Sequence, residues 1–136
     1  MKVLDAFKDY ISAQTGVVAV LEPEKLEVSE PNLRLMLNGF DSQGQNREKL
    51  TLTGTLTAQG DGPDYFLDSV LAASRAFLPF RDGSHVFEVE AGFTASATVT
   101  RTAPGRFEQN EDEGRFAFSF IEQFRIEISY NPDKLT

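Results

Sequence analysis

The only histidine of this 136-residue chain, His85, stands in RDGSHVF with Asp82 and Ser84 beside it. A serine nucleophile activated by histidine and oriented by a carboxylate needs those three residue types. Turn residues before a strand supply the same trio by composition, so the expectation is a turn histidine without a catalytic role. No GxSxG elbow, HExxH pair, Walker loop or GxGxxG turn occurs. The run Glu108, Glu111, Asp112 and Glu113 could attract a divalent cation, but it lacks the alternating Asp/Asn ligands and closing glutamate of a calcium loop. It reads as a solvated charged loop. Glu88 and Glu90 share one strand parity and could form paired carboxylates, yet nothing near them in sequence supplies a partner. Cysteine is absent, which removes thiolate nucleophiles and thiolate metal sites. No catalytic, cofactor-binding or metal-binding residue is expected, and the chain does not read as an enzyme.

The elements that would carry these residues are better marked. Val3, Leu4, Phe7, Tyr10 and Ile11 recur at helical spacing and Gly16 supplies a stop, which predicts an opening amphipathic helix. Val17–Leu21 is short, β-branched and apolar, a buried strand. Residues 22–31 are acidic and carry two prolines, so they read mostly as loop, with room for a short extended piece at Lys25–Val28. Leu33, Leu35 and Leu37 alternate with polar or flexible residues, as do Leu50, Leu52 and Leu56 with Thr51, Thr53, Thr55 and Thr57. These are two half-buried strands joined through the polar tip DSQGQNREK, residues 41–49. Gly54 marks a bulge or a close backbone approach.

Pro63 and Pro79 bracket a second helix whose expected core stripe is Phe66, Leu67, Val70, Leu71, Ala73, Phe77 and Leu78. Phe87, Val89, Ala91 and Phe93 then alternate, with Gly92 as a bend, and the extended pattern runs on to Arg101. Pro104 and Gly105 open a linker through the acidic run. The last strand, GRFAFSFIEQFRIEISY (residues 114–130), is apolar on one parity except at Glu122. Its length, against about 5–6 residues for an ordinary strand, predicts two duties divided at Glu122. One half lies under the helices, and the other, ending at Tyr130, is open to a neighbour. Phe116, Phe118 and Phe120 could line a ligand pocket, but a core or interface stripe suits them better.

Grouped strands with two helices between them predict one α+β domain over residues 1–136, a mainly antiparallel sheet with two helices packed on one face. The threonine parities predict a polar outer face. Thirteen basic and twenty-one acidic residues leave a net charge of -8, which repels nucleic-acid phosphates and anionic membranes. No apolar run approaches the roughly 18 residues of a membrane span, and the first sixteen residues lack the apolar core of a secretory signal. A protein made in the cytosol is expected.

In order and length, the opening helix MKVLDAFKDYIS, the LRLMLNGF and KLTLTGTLTA hairpin, the PDYFLDSVLAASRAF helix and the long closing strands resemble the tail terminator or tail-completion proteins of long-tailed bacteriophages and phage-tail-like particles. The resemblance implies a structural virion protein, assembled in the host cytoplasm, that forms a hexameric ring. It implies contact with the tail-tube protein on one side and the head-tail connector on the other, with DNA passing through unbound and no cofactor. A tail-tube, baseplate or head-tail adaptor subunit fits the same pattern, and a small-ligand-binding α+β domain stands as the reading from another class. The residues expected at a subunit or tail interface are Asp41, Arg47 and Lys49 of the hairpin tip, Glu108, Glu111, Asp112 and Glu113 of the acidic loop, and Glu122 and Tyr130 of the last strand.

Overall fold

The computed structural model describes residues 2–21, 31–60, 63–80, 83–109 and 118–134. Helix α1 spans Lys2–Thr15 and buries Val3, Leu4, Phe7 and Ile11. Its end is fixed as its sequence requires: Gly16 adopts a φ of 74° and its N–H donates to the Ser12 carbonyl at 2.9 Å. Two hydroxyls then hold the chain as it leaves the helix. Thr15 Oγ1 accepts from the Val17 N–H at 3.1 Å, and Ser12 Oγ accepts from the Ala19 N–H at 3.0 Å.

The strands are β1 (Val18–Leu21), β2 (Asn32–Gly44), β3 (Arg47–Gly60), β4 (Gly83–Glu90), β5 (Phe93–Gln109) and β6 (Phe118–Tyr130). They form one sheet in the order β1-β2-β3-β6-β5-β4, with β1 parallel to β2 and every other pair antiparallel. The last strand in the chain thus lies at the middle of the sheet. Helix α2 (Pro63–Ala76) and a short 3-10 turn, Leu78–Phe80, connect β3 to β4. The Phe7 ring meets Phe87 of β4 at 5.6 Å, and Phe77 beyond α2 stacks on Phe124 of β6 at 5.3 Å. Both contacts fall on the sheet face that holds Leu50, Leu52, Leu56, Ile126 and Ile128. The α+β sheet with both helices on one face is therefore as the sequence predicts. Helix α1 touches β1 and β4, the two ends of the strand order, because the sheet curls around it.

The outer face carries Thr51, Thr53, Thr55 and Thr57 from β3 and Thr94, Ser96, Thr98 and Thr100 from β5, as alternation requires. Between them Glu127 takes Arg125 at 2.8 Å and Lys49 at 3.5 Å. Gly54 is a close approach and not a bulge, since the register runs through it unbroken. A Cβ there would stand 2.9 Å from Ile126 Cδ1.

Several expected boundaries move. The hairpin tip is no nine-residue loop: strand pairing continues to Gly44 and Arg47, and Gln45 and Asn46 alone make the turn, at φ 51° and 59°. Two positive φ values match the twist of paired strands, and Asn accepts them readily. Gly92, at φ 80°, closes a tight β4-β5 hairpin in place of the expected bend. Pro104 and Gly105 lie inside β5, accommodated by register shifts between Arg101 and Ala103 and between Ala103 and Arg106. On the second helix Val70, Ala73 and Phe77 are buried, while Leu67, Leu71 and Leu78 are exposed. The helix buries a narrower stripe than its apolar positions offer. The side chain of Phe66, the whole of Phe116 and the expected loop over residues 22–30 lie outside the described structure.

Candidate subunit interface

Described to Leu21, β1 pairs with β2 from Asn32 to Leu35. From Met36 to Gly44 the far edge of β2 has no described strand beside it. An unpaired edge offers a row of backbone N–H and C=O groups to another chain. On the same residues the side chains change character. Leu37 is 52% exposed, Phe40 60% and Met36 47%, although Leu37 and Phe40 stand opposite the fully buried Leu52 and Leu50 on the helix-bearing face. A register shift between Leu37 and Gly39 keeps Phe40 on that face. Asn38, the extra residue, donates through Nδ2 to Thr53 Oγ1 on the other. The result is an apolar shelf running along an open strand edge.

The strand at the opposite end, β4, has a partner only on its β5 side among the described strands. Val86 on it is 64% exposed. The sheet register sets β4 level with the open half of β2. Leu37, Leu52, Ile126, Val99 and Gly83 form one row across the sheet, Phe40, Leu50, Ile128, Ala97 and His85 another, and Asp41, Lys49, Ser129, Ser96 and Val86 a third.

The residues expected at an interface fall into three groups. Asp41, Arg47 and Lys49 come together on the outer side of the β2-β3 hairpin: Asp41 and Arg47 are exposed, and Lys49 is half-buried beside Glu127. Glu108 is exposed at the far end of β5, where its Oε1 accepts from Arg106 Nε at 3.2 Å. Glu111, Asp112 and Glu113 lie outside the described residues.

Glu122 and Tyr130 are corrections, for each is only 1% exposed. Glu122 sits under α2, and its Oε2 accepts a hydrogen bond from Ser74 Oγ at 2.9 Å. The backbone at Gly105 closes over it and over the Phe120 ring. The half of β6 expected to face a neighbour is the inner wall of the core, with Phe124, Ile126, Ile128 and Tyr130 all buried. Its length serves pairing on both sides, with β3 and with β5. Burial pushes the Tyr130 phenol above its ordinary pKa of 10.0, and the Glu48 carboxylate adds to the rise.

The chemistry-bearing residues stay apart. Ser84 and His85 are successive on β4 and so point to opposite faces. Ser84 Oγ lies 3.5 Å from Thr98 Oγ1 on the outer side, and the His85 ring packs 4.6 Å from Phe80 on the inner. Asp82 lies outside the described residues. Glu90 pairs with Lys2 at the end of β4, and a register shift separates it from Glu88. Among the described residues no group of three or more His, Asp or Glu side chains is placed to hold a metal ion, and no helix is long and apolar enough to cross a membrane.

The exposed Leu37, Phe40 and Val86 were hidden in the sequence, because simple alternation puts Leu37 in the core and Phe40 on the opposite parity, just before the tip expected at residues 41–49. The pair Gln45-Asn46 signals a two-residue turn that sets Gly44 opposite Arg47, but Phe40 comes opposite Leu50 only through a register shift between Ser42 and Gly44 that nothing in the sequence marks. No protein-family model matches the chain, and no curated protein is similar to it in sequence.

Proposed function

We propose that the chain is a structural subunit that joins copies of itself side by side into a ring, in the role of a phage tail terminator. The supporting observation is the coincidence, on residues 36–44, of an unpaired strand edge with exposed Leu37 and Phe40. Scattered surface leucines are ordinary, but an apolar strip on a long open edge marks an interaction surface. Burying each of those two side chains contributes on the order of 1.5–3 kcal/mol, enough in combination with backbone pairing to hold neighbours together. In this reading the ring caps the tail tube, meets the head-tail connector, and passes DNA through without binding it, for which a net charge of -8 is suited.

Native mass spectrometry over a concentration series, with negative-stain images of the same samples, tests the reading. Closed rings of uniform copy number, growing with concentration and binding to assembled tube protein, are expected. A chain that stays monomeric at high concentration and in the presence of tube protein overturns it.

A further inference from the structure

We infer that successive subunits join by parallel pairing of the open half of β2, Met36–Gly44, with strand β4, Gly83–Glu90, of a second copy. The inference rests on the ring reading above and names the contact that makes the ring. Counting across the sheet order, β2 and β4 run in the same direction, since three strands separate them and each neighbouring pair is antiparallel. Rotation about an axis near the strand direction preserves that sense, so a head-to-tail contact between these edges is parallel. Such heterologous contacts close into a ring when the rotation per subunit divides the full turn and otherwise give an open filament. The two edges also lie at the same height, because Phe40 shares its row with His85 and Asp41 shares its row with Val86. A neighbour therefore docks without a large shift along the strands.

The other candidate edges fit less well. On β1 the Ala19 N–H is already taken by Ser12 Oγ of α1. On β5 the stretch beyond Val99, where β4 pairing ends, contains Pro104, which has no N–H, and the charged Arg101 and Arg106. It also lies at the opposite end of the sheet from the open half of β2. Charge favours the β2-β4 choice. Carrying the β5-β6 register one residue past Ser96 and Ser129 sets Glu48, Tyr130, Ala95 and Phe87 level, and exposed Arg47, at the hairpin tip, and exposed Glu88 each lie one residue beyond them. The long arginine side chain reaches across the joint to that carboxylate.

The absence of cysteine makes the contact directly testable. Asp41→Cys and Val86→Cys are exposed substitutions on one row and one face, and paired strands about 4.8 Å apart fall within disulfide reach, roughly 4.4–6.8 Å between Cα atoms. Under mild oxidation, a mixture of the two single variants should yield a covalent dimer. Either variant alone should yield none, and the double variant should give a ladder ending at the ring. Separately, Arg47→Glu should weaken ring formation, and Arg47→Glu combined with Glu88→Arg should restore it. Self-crosslinking of one single variant indicates a two-fold contact and overturns the inference. Rings in the mass spectrum with no 41-86 crosslink overturn the contact but leave the ring reading intact, whereas absence of any oligomer overturns both.

Discussion

Two strands of the sheet are paired on both sides for only part of their length, and the two unpaired stretches are built in opposite ways. On β5, residues 100–109 carry Pro104, two register shifts, Arg101 and Arg106, the devices that stop a sheet edge from recruiting another strand. On β2, residues 36–44 also cross two register shifts, but they contain no proline and carry exposed Met36, Leu37 and Phe40 with a single charge, Asp41. The β5 stretch exposes one aromatic, Phe107, among its charges and proline, whereas the β2 stretch exposes three large apolar side chains; on the reading proposed above, the second edge is the one kept for a partner. The difference also separates two energetic roles. Irregular β5 earns its place inward, where the Gly105 backbone lies on Phe120 and Glu122; the β2 edge contributes little to the monomer.

The strongest way to break the comparison is to remove the core on which both edges rest. Tyr130→Asp places a charge where the side chain is buried, so loss of more than about 3–5 kcal/mol, the usual cost of emptying an aromatic core site, is expected as an unfolded circular-dichroism spectrum. A folded variant that merely fails to assemble would restore Tyr130 to an interface role.

Gly105→Ala comes next. Its Cβ would stand 2.5 Å from Phe120 Cζ and 3.2 Å from Glu122 Oε2, and such overpacking costs about 1–3 kcal/mol, read as a lower urea midpoint. Ring formation by the folded fraction should be unchanged. Phe40→Lys should do the converse, keeping the urea midpoint within about 0.5 kcal/mol of the parent while raising the concentration needed for oligomers in native mass spectrometry. If Phe40→Lys unfolds the chain, or Gly105→Ala abolishes assembly without touching stability, the two edges do not differ as described.

The smallest effect is a pH dependence. The phenol of Tyr130 titrates above 10.0 in the folded chain because burial and Glu48 oppose its ionisation. The unfolded chain therefore loses its proton first as pH rises. The stabilisation is complete below pH 10.0 and declines as pH climbs toward the folded value. Urea midpoints measured from about pH 9 to about pH 11 should fall in the parent and fall less in Tyr130→Phe.

Much of the architecture could be read from residue periodicity. Both helices, the hairpin strands and the polar threonine face follow from alternation and from the Gly16, Pro63 and Pro79 signals. The division between β4 and β5 is left open by the sequence, which allows two or three strands after the second helix, because AG at positions 91 and 92 gives a weaker turn signal than Pro104 gives for a break. Proline at position 104 is tolerated because one side of β5 has no ladder to complete there. The interface is less legible for a different reason. Leu37 has the same residue type and spacing as buried Leu33 and Leu35, and residue type alone does not separate its 52% exposure from their 1%. Glu122 fails in the reverse sense: a carboxylate in an apolar row suggests solvent, but Ser74 of α2 meets it inside.

The position of β6 bears on when this chain can become competent to assemble. Leu50 pairs with Ile128 and Ala97 pairs with the same residue from the other side, so the sheet is two separate hairpins until residues 118–130 insert between them. Pairings so distant in sequence form late, and during synthesis the segment that completes them follows every other strand. Until then β3 and β5 themselves expose raw edges in the centre, and the β2 and β4 edges do not belong to one rigid body. Incomplete chains therefore cannot present two level, co-directional edges, and, on the ring reading proposed above, they would be rejected without any separate proofreading factor.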